Sequence, residues 1–179
     1  YSAIFYSKSR FEVAVSGTFW LSEAPEVPGS KNWDAAITRV ATWAKLLDKT
    51  TRDTLFVMNT HFDHIGKVAR ENSAVIIKEK ISLLARALPV VLTGDFNIEP
   101  SEAPYRILTN GDIYNLRDSG AGNEAGTFCT FKVNTEPCKR IDYIFYGGGW
   151  KLKKYSLNNK NDGLYYPSDH LPVIVSLSH

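Results

Sequence analysis

The chain lacks several features that would assign it to a class of protein at once. Its 21 basic and 19 acidic residues leave a formal charge of only +2, which gives no electrostatic argument for nucleic-acid binding. No apolar run approaches the roughly 20 residues that a membrane-spanning helix needs. The sequence contains no internal repeat, coiled coil or low-complexity tract. It also lacks a Gly-x-Ser-x-Gly nucleophile elbow, which disfavours an unrelated α/β hydrolase of esters.

Cysteine is scarce, since the chain has only Cys129 and Cys138. The two residues flank a predicted hairpin and could pair across it in an oxidising compartment. Two reduced thiols fit the same spacing, so the sequence leaves their state open. The chain also opens at Tyr1 without an initiator Met or a signal peptide, so its localisation is left unknown.

What the chain does have is the composition and periodicity of a single α/β domain over residues 1–179. Hydrophobic residues make up 44% of it, enough for a sizeable core. Strands are predicted at 3–7, 10–21, 39–48, 54–61, 90–95, 128–133, 140–146, 150–156 and 171–177. Helices are predicted at 34–37, at 67–88 before Pro89, and at 101–110 with Ser101 as N-cap. Residues 22–33, rich in Pro, Gly, Ser and Glu, are predicted to form a loop.

Four short polar motifs adjoin apolar, strand-like runs, where open α/β sheets usually bind their ligands. In chain order they are Asn59-Thr60-His61, Gly94-Asp95-Phe96-Asn97, Arg140-Ile141-Asp142-Tyr143 and Ser168-Asp169-His170. Each motif has an ordinary explanation, since Gly, Asp and Asn are common turn residues and a charged pair in a strand is often an edge salt bridge. Four such motifs in this order are much harder to explain in that way.

This ordered series resembles the endonuclease/exonuclease/phosphatase superfamily, the deoxyribonuclease I-like phosphoesterases. The motifs cover residues 59–170. The stretches Gly17–Ser22 and Arg39–Trp43 are similar to bacterial members that are not dedicated DNA nucleases. The resemblance implies a four-layer α-β-β-α sandwich, in which two β-sheets pack face to face with helices outside.

The resemblance also implies that part of the domain is missing. Family members carry an earlier half, which supplies an Asn at the end of one strand and a metal-binding Glu at the end of another. Glu12, Glu23 and Glu26 do not sit in such a strand-end setting, so none of them is assigned as that ligand. We therefore expect a domain that is incomplete at its N-terminus and lacks its first strands, with the missing N-terminal half of the same protein as a partner.

The activity implied by the resemblance is that of a divalent-metal-dependent phosphoesterase, in which an activated water attacks a phosphomonoester or phosphodiester. The expected catalytic residues are His61, Asp95, Asn97, Asp142 and His170, the expected substrate contacts are Arg39, Asn59 and Arg140, and the expected ligands for Mg²⁺ or Mn²⁺ are Asp169, Asp95 and Asn97. The substrate is open among nucleic acid, nucleotides, lipid head groups and sugar phosphates. The alternative is a catalytically inactive binding or scaffold protein with the same fold.

Each expected role follows from the chemistry of the side chain. Asp95 would orient or deprotonate the attacking water, and His61 and His170 would donate to the phosphate. Asp142 would hold one ring nitrogen of His170, so the two are expected within hydrogen-bonding reach of each other. Arg39 could contact the substrate or, equally, form a buried ion pair. All the catalytic side chains are expected to converge on one cleft between the two sheets.

Overall fold

The computed structural model of the protein describes residues 2–111, 114–123, 125–134 and 138–179. Its strands are β1 (Phe11–Trp20), β2 (Val40–Asp48), β3 (Thr54–His61), β4 (Val90–Asp95), β5 (Arg117–Asp118), β6 (Asp142–Gly147), β7 (Lys151–Leu157) and β8 (Val173–Ser178). Its helices are α1 (Lys67–Ala85) and α2 (Ala103–Thr109). Within these ranges, no helix combines the length and the apolar character needed to cross a bilayer.

Six strands form one mixed sheet in the order β1-β2-β3-β4-β6-β5. Neighbouring strands are antiparallel except β3 and β4, which run parallel and are connected through α1, because a parallel pair needs a crossover connection. The register places His61 opposite Asp95, and Asp95 opposite Asp142. The sheet therefore aligns three polar strand-end positions in one row.

The strands β7 and β8 form a second, two-stranded sheet, and β8 approaches β6 of the large sheet. Tyr143 and Phe145 of β6 pack in the core with the helices. Asp142 and Ile144, which point to the other face of β6, line a cleft together with residues that lead into β8. The described residues thus supply one helical layer and two sheets of the expected sandwich.

The core lies between the large sheet and the two helices. Helix α1 buries Ile77 and Ile81, which recur at helical spacing, against Phe56, Leu92 and Phe145 of the sheet. Burying an apolar side chain of this size stabilises a fold by about 1.5–3 kcal/mol. This packing fixes the strands that carry the polar row.

Most predicted elements are confirmed. Strands β3 and β4 have the predicted bounds, the loop at 22–33 contains no helix or strand, and β1, β2, β6, β7 and β8 agree with the prediction to within two residues. Helix α1 ends at Ala85 rather than at residue 88, because Arg86 leaves the helical conformation with a φ of 53°. Strand β5 was not predicted, because a strand of two residues is too short to show an alternation of apolar and polar side chains.

Two predicted elements near the N-terminus are wrong. Residues 3–7 form no strand, and this segment is held to the large sheet by single hydrogen bonds, such as the one from Asn59 Nδ2 to the Ala3 carbonyl oxygen. Residues 34–37 form no helix, because the backbone N–H groups of residues 36 and 37 donate to the Asp63 carboxylate instead. Side-chain hydrogen bonds of this kind compete with local secondary structure.

Two later predictions are corrected in part. Helix α2 begins at Ala103 and its N-cap is Glu102 rather than Ser101, while Pro104 lies in the first turn as expected. The strand predicted at 128–133 is reduced to isolated bridges at Phe128 and Lys132. Cys129 and Cys138, whose state the sequence left open, are joined by a disulfide bond.

Candidate active site

The polar row at the end of the large sheet belongs to a connected cluster of four ionisable side chains. His61 Nε2 lies 3.1 Å from Asp95 Oδ2, and His170 Nε2 lies 3.9 Å from the same oxygen. On its other side, His170 Nδ1 lies 2.8 Å from Asp142 Oδ2. Two imidazoles therefore flank one carboxylate, and a second carboxylate holds the far nitrogen of one of them.

His170 reaches this cluster from the loop before β8. Its backbone N–H donates to Ser168 Oγ at 3.2 Å, and its ring lies against Phe128 with the ring centroids 4.9 Å apart. The hydrogen bond with Asp142 raises the pKa of His170 above the ordinary histidine value, although burial opposes this shift. The imidazolium form is therefore favoured at this position.

Asp95 is the central carboxylate, and only 14% of its side chain is exposed. Burial disfavours its charged form, but the hydrogen bonds from His61 and from the Asn97 backbone N–H outweigh burial and hold the pKa of Asp95 below its usual value. Asp95 is thus an ionised carboxylate at neutral pH, which is the state required to orient water or to accept its proton.

The Gly-Asp-Phe-Asn motif is a tight turn as well as a source of polar groups. A Cβ on Gly94 would lie 2.2 Å from the Thr60 carbonyl oxygen, so the close approach of β3 and β4 requires glycine here. Asn97 has a φ of 50°, a left-handed conformation that Asn tolerates, and its Nδ2 donates to the Phe62 carbonyl oxygen at 3.1 Å. This bond uses one of the two amide N–H groups, so the second N–H and the amide oxygen remain for a ligand.

Arg39 lies beside a second histidine. Its Nη2 is 3.3 Å from His64 Nδ1, and within the described part of the chain its buried Nε has no hydrogen-bond partner. Burial lowers the pKa of Arg39 from its very high ordinary value, and the charges of Asp63 and Asp95 oppose this shift. Because this Nε is buried, it gives no support for a substrate contact, and the anion contact expected for Arg39 stays a prediction.

Asp63 ties together the two loops that carry Arg39 and His64. Its buried carboxylate accepts hydrogen bonds from the backbone N–H groups of residues 36–37 on one loop and 65–66 on the other. Although burial opposes it, this set of hydrogen bonds holds the pKa of Asp63 far below the ordinary aspartate value. The carboxylate is therefore a structural anchor for both loops.

Arg140 is engaged away from the cluster. Its Nη2 lies 2.7 Å from both carboxylate oxygens of Asp118, and its guanidinium stacks over the Tyr143 ring, 4.7 Å from the centroid. The side chains of Arg140 and Asp118 are only 7% and 1% exposed. This buried ion pair argues against the substrate contact that the sequence suggested for Arg140.

Asn59 and Asp169 lie next to the cluster but do not contact it directly. Asn59 donates to the Ala3 carbonyl oxygen at 2.9 Å and accepts from Thr93 Oγ1 at 3.0 Å, so both ends of its amide bind protein groups. The Asp169 carboxylate is near enough to help raise the pKa of His170. Within the described residues, it accepts a long hydrogen bond of 3.5 Å from Ser168 Oγ.

The cluster opens on a cleft of about 460 Å³, lined among others by Thr93, Asp95, Asp142, His170 and Pro172. Of the five side chains expected to converge on one cleft, Asp95, Asp142 and His170 face this space, whereas His61 and Asn97 are outside its described lining. A cavity of about 520 Å³ between α1 and α2 is mainly apolar, and its described lining includes none of the predicted site residues.

The donor set suits a hard divalent cation. Ligand atoms of Asp95, Asp142 and His170 lie within 4.8 Å of one another. Carboxylate oxygens are the ligands that Mg²⁺ and Mn²⁺ prefer, and Mg²⁺ needs only one or two of them because it keeps several waters. Of the three ligands suggested by the sequence, Asp95 lies in this group and Asp169 does not.

Three residues of the site region were missed by sequence reasoning. His64 stands inside the Asn-Thr-His-Phe-Asp-His run, so its place in that motif was a usable signal. Asp118 belongs to no motif, and it is recognised only by its contact with Arg140, 22 positions away. Thr127 likewise bonds the backbone of Asp142 across 15 positions, which no local pattern reveals.

Comparison with known proteins gives a consistent result. A profile of the Endonuclease/Exonuclease/phosphatase family matches residues 3–170. The structure of the mannosyl-6-phosphatase of Bacteroides thetaiotaomicron VPI-5482 is similar with a TM-score of 0.85 and 36% sequence identity, over 97% of this chain and 69% of that one. The human Nocturnin catalytic domain with bound sulfate anion has a TM-score of 0.74 and 20% identity, over 96% of this chain and 61% of that one.

Among curated proteins, Nocturnin of Xenopus laevis is 28% identical over 107 residues. The match covers 51% of this chain and 27% of that protein, so this chain accounts for about a quarter of its relative's length. The structural likenesses confirm the deoxyribonuclease I-like α/β fold. The expected absence of an N-terminal half stays a prediction.

Proposed function

Because this chain belongs to the Endonuclease/Exonuclease/phosphatase family, we propose that the protein is a divalent-metal-dependent phosphoesterase that uses water as its nucleophile. The observation that carries the proposal is the pair of imidazoles that flank Asp95, at 3.1 Å and 3.9 Å. Phosphoester hydrolysis needs an oriented water, charge stabilisation at the phosphoryl oxygens and help for the leaving oxygen. The cluster contains groups for the first two tasks.

Asp95 is the residue that orients the attacking water and accepts its proton. Its depressed pKa keeps it ionised at neutral pH. His61, whose side chain is 44% exposed, binds Asp95 through Nε2 and stands where it can donate to a phosphoryl oxygen as charge develops there. Asn97 supports the same step through the turn that fixes Asp95.

His170 stabilises the charge on the phosphoryl group. Asp142 accepts the Nδ1 proton of His170 in a hydrogen bond of 2.8 Å, which leaves Nε2 turned toward Asp95. A carboxylate partner of this kind fixes the ring orientation and favours the charged form. His170 is therefore a donor whose charged form is favoured and whose position is set before the substrate arrives.

A bound Mg²⁺ or Mn²⁺ would polarise the phosphoryl oxygen and stabilise the leaving alkoxide. Asp95, the amide oxygen of Asn97 and either Asp142 or Asp169 are the oxygen donors that would hold the ion. From the family resemblance we also propose that an N-terminal segment of the whole protein adds a Glu ligand. Asp169, which helps to raise the pKa of His170, is the third carboxylate that this chain offers to the centre, after Asp95 and Asp142.

A phosphorylated sugar is the substrate class that we propose first. The similar mannosyl-6-phosphatase shares 36% of its sequence over 97% of this chain. The formal charge of +2 gives no strong field for a polyanion such as nucleic acid. Arg39 and its neighbour His64 are the proposed contacts for the anionic part of the substrate.

The alternative, an inactive binding or scaffold protein, is disfavoured by the arrangement of the charged groups in the cluster. Binding alone does not require one carboxylate between two imidazoles or a second carboxylate behind one of them. Burying such groups has a desolvation cost that a purely structural site would avoid.

The proposal is tested with the intact protein against a panel of phosphoesters that contains sugar phosphates, nucleotides, lipid head groups and oligonucleotides. We expect hydrolysis of at least one sugar phosphate, abolished by EDTA and restored by Mg²⁺ or Mn²⁺. Turnover that is indifferent to EDTA would refute the metal requirement. Binding of these compounds without any turnover would favour the scaffold alternative.

A further inference from the structure

One loop of the protein contacts both members of the His170–Asp142 pair and is closed by the disulfide bond. We propose that this disulfide loop, residues 126–134 and 138–139 of the described chain, positions the pair for catalysis and that Thr127 is its principal positioning residue. This inference rests on the proposed function, because it concerns the same hydrolytic site. In this proposal, neither Thr127 nor the two cysteines contact the substrate.

Thr127 fixes the backbone of Asp142. Its side-chain oxygen accepts hydrogen bonds from the backbone N–H groups of Ile141 at 3.1 Å and Asp142 at 3.0 Å. The same hydroxyl donates to the Lys139 carbonyl oxygen at 3.4 Å, so its one donor and both acceptor positions are used. Thr127 is fully buried, and no water can replace these bonds without a rearrangement.

The same loop fixes the segment that carries His170. The Leu171 backbone N–H donates to the Thr127 carbonyl oxygen at 2.6 Å, and the Cys129 N–H donates to the Asp169 carbonyl oxygen at 2.9 Å. These two hydrogen bonds fix the backbone at the residues before and after His170. The Phe128 ring then packs on the imidazole itself.

The disulfide closes this loop beside the pair. Cys129 is 3% exposed, whereas Cys138 is exposed. A Cβ on Gly126 would lie 2.3 Å from backbone and side-chain atoms of Cys138, so the two ends of the loop are in close contact. A covalent link between the ends limits the conformations of the loop that would release Thr127 and Phe128.

A plain structural role is the rival explanation, since a disulfide also stabilises a fold in general. The two explanations differ in what they predict for the pair. A positioning loop sets the Nδ1–Asp142 hydrogen bond and therefore kcat, while the KM for the substrate changes little. A merely stabilising loop changes the melting temperature and leaves the kinetics of the folded enzyme unaltered.

The first test compares Thr127→Val with Thr127→Ser in the whole protein. Valine has the shape of threonine without the hydroxyl, and serine keeps the hydroxyl. We expect Thr127→Val to lower kcat by about 10–100-fold, the usual effect of losing a group that orients a catalytic residue, with KM within about twofold of wild type. Thr127→Ser should restore most of the lost kcat. Equal kcat values for folded Val and Ser variants would overturn the proposal.

The second test breaks the disulfide. Dithiothreitol delivers two electrons and two protons, so that the S–S bond becomes two thiols while the reagent closes to its own cyclic disulfide. Reduction and Cys138→Ser should each lower kcat about tenfold and weaken the low-field NMR signal of the His170 Nδ1 proton. The Cys138→Ser variant, which has no disulfide, should not respond further to the reagent. An unchanged Nδ1 signal after complete reduction would overturn the proposal.

The NMR signal separates this inference from the proposed function, because it reports the His170–Asp142 hydrogen bond without any turnover. A protein that hydrolyses no phosphoester but loses the Nδ1 signal on reduction would refute the proposed function and still support positioning by the loop. A protein that hydrolyses its substrate equally well with the disulfide intact and reduced would refute positioning by the disulfide loop and would leave the proposed phosphoesterase function standing.

Discussion

Replacing Asp95 by Asn removes the charge at the centre of the cluster and changes little else. In the wild-type protein, the Asn97 backbone N–H donates to Asp95 Oδ1 at 2.9 Å. The Asn side chain of the variant still offers an oxygen to this N–H. It cannot accept a proton from water, and it loses the charge that faces His61 and His170 at 3.1 Å and 3.9 Å. The substitution therefore isolates the chemical role of the carboxylate from its role in the turn.

We expect Asp95→Asn to reduce kcat/KM by at least ~100-fold, equivalent to about 2.7 kcal/mol of transition-state stabilisation. The melting temperature should change little, because the turn keeps its hydrogen bond. Steady-state kinetics on the best phosphoester and a thermal unfolding curve measure the two quantities. Full activity in a folded Asp95→Asn protein would refute the assignment of Asp95 as the water-activating group.

Asp162→Asn is the matched control. Asp162 also accepts backbone hydrogen bonds in a turn, from Leu164 at 2.9 Å and Tyr165 at 2.7 Å, but it is exposed and has no histidine partner in the described structure. The same chemical change there should leave kcat/KM within about twofold of wild type, as expected for a surface substitution remote from the site. A comparable loss in both variants would mean that the assay reports general damage to the fold.

Four further outcomes are expected. His170→Ala should lower phosphoester hydrolysis by at least ~100-fold in steady-state assays, since a charge-stabilising donor is lost. Asp142→Asn should let the raised pKa of His170 fall toward the ordinary value of about 6.5. The pH at which activity declines with loss of the His170 proton should therefore move down. The stability that the His170–Asp142 pair contributes below about pH 6.5 should also diminish, as measured by denaturation at several pH values. Arg140→Leu should destabilise the protein by about 3–5 kcal/mol in urea denaturation, because it leaves Asp118 buried and unpaired. EDTA should abolish hydrolysis, and added Mg²⁺ should restore it in the same sample.

The sequence predicted a candidate site because two of its motifs end neighbouring strands and a third begins the next strand of the same sheet. His61, Asp95 and Asp142 are opposite one another in the register, so three separate strand ends predict one row. His170 joins them from the loop before β8, and only the family resemblance indicated its place. The hydrogen bond between Asp142 and His170 was expected from that resemblance and is present at 2.8 Å.

Other features depend on contacts that no sequence pattern carries. The family resemblance led us to expect that Arg140 contacts an anion, but its guanidinium pairs with Asp118. The segment at 34–37 was expected to be helical, but Asp63 binds its backbone N–H groups from the next polar motif. In both cases a partner distant in sequence satisfies a group that local reasoning treated as free.

The central claim is that water attacks the phosphorus atom of a phosphoester at the Asp95 cluster. The most direct measurement is hydrolysis of the preferred sugar phosphate by the intact protein with Mg²⁺ in ¹⁸O-labelled water, followed by mass spectrometry of both products. We expect one labelled oxygen in the released phosphate and none in the sugar alcohol, with no release of phosphate by Asp95→Asn above the uncatalysed rate. Label in the sugar alcohol, or equal phosphate release by wild type and variant, would contradict it.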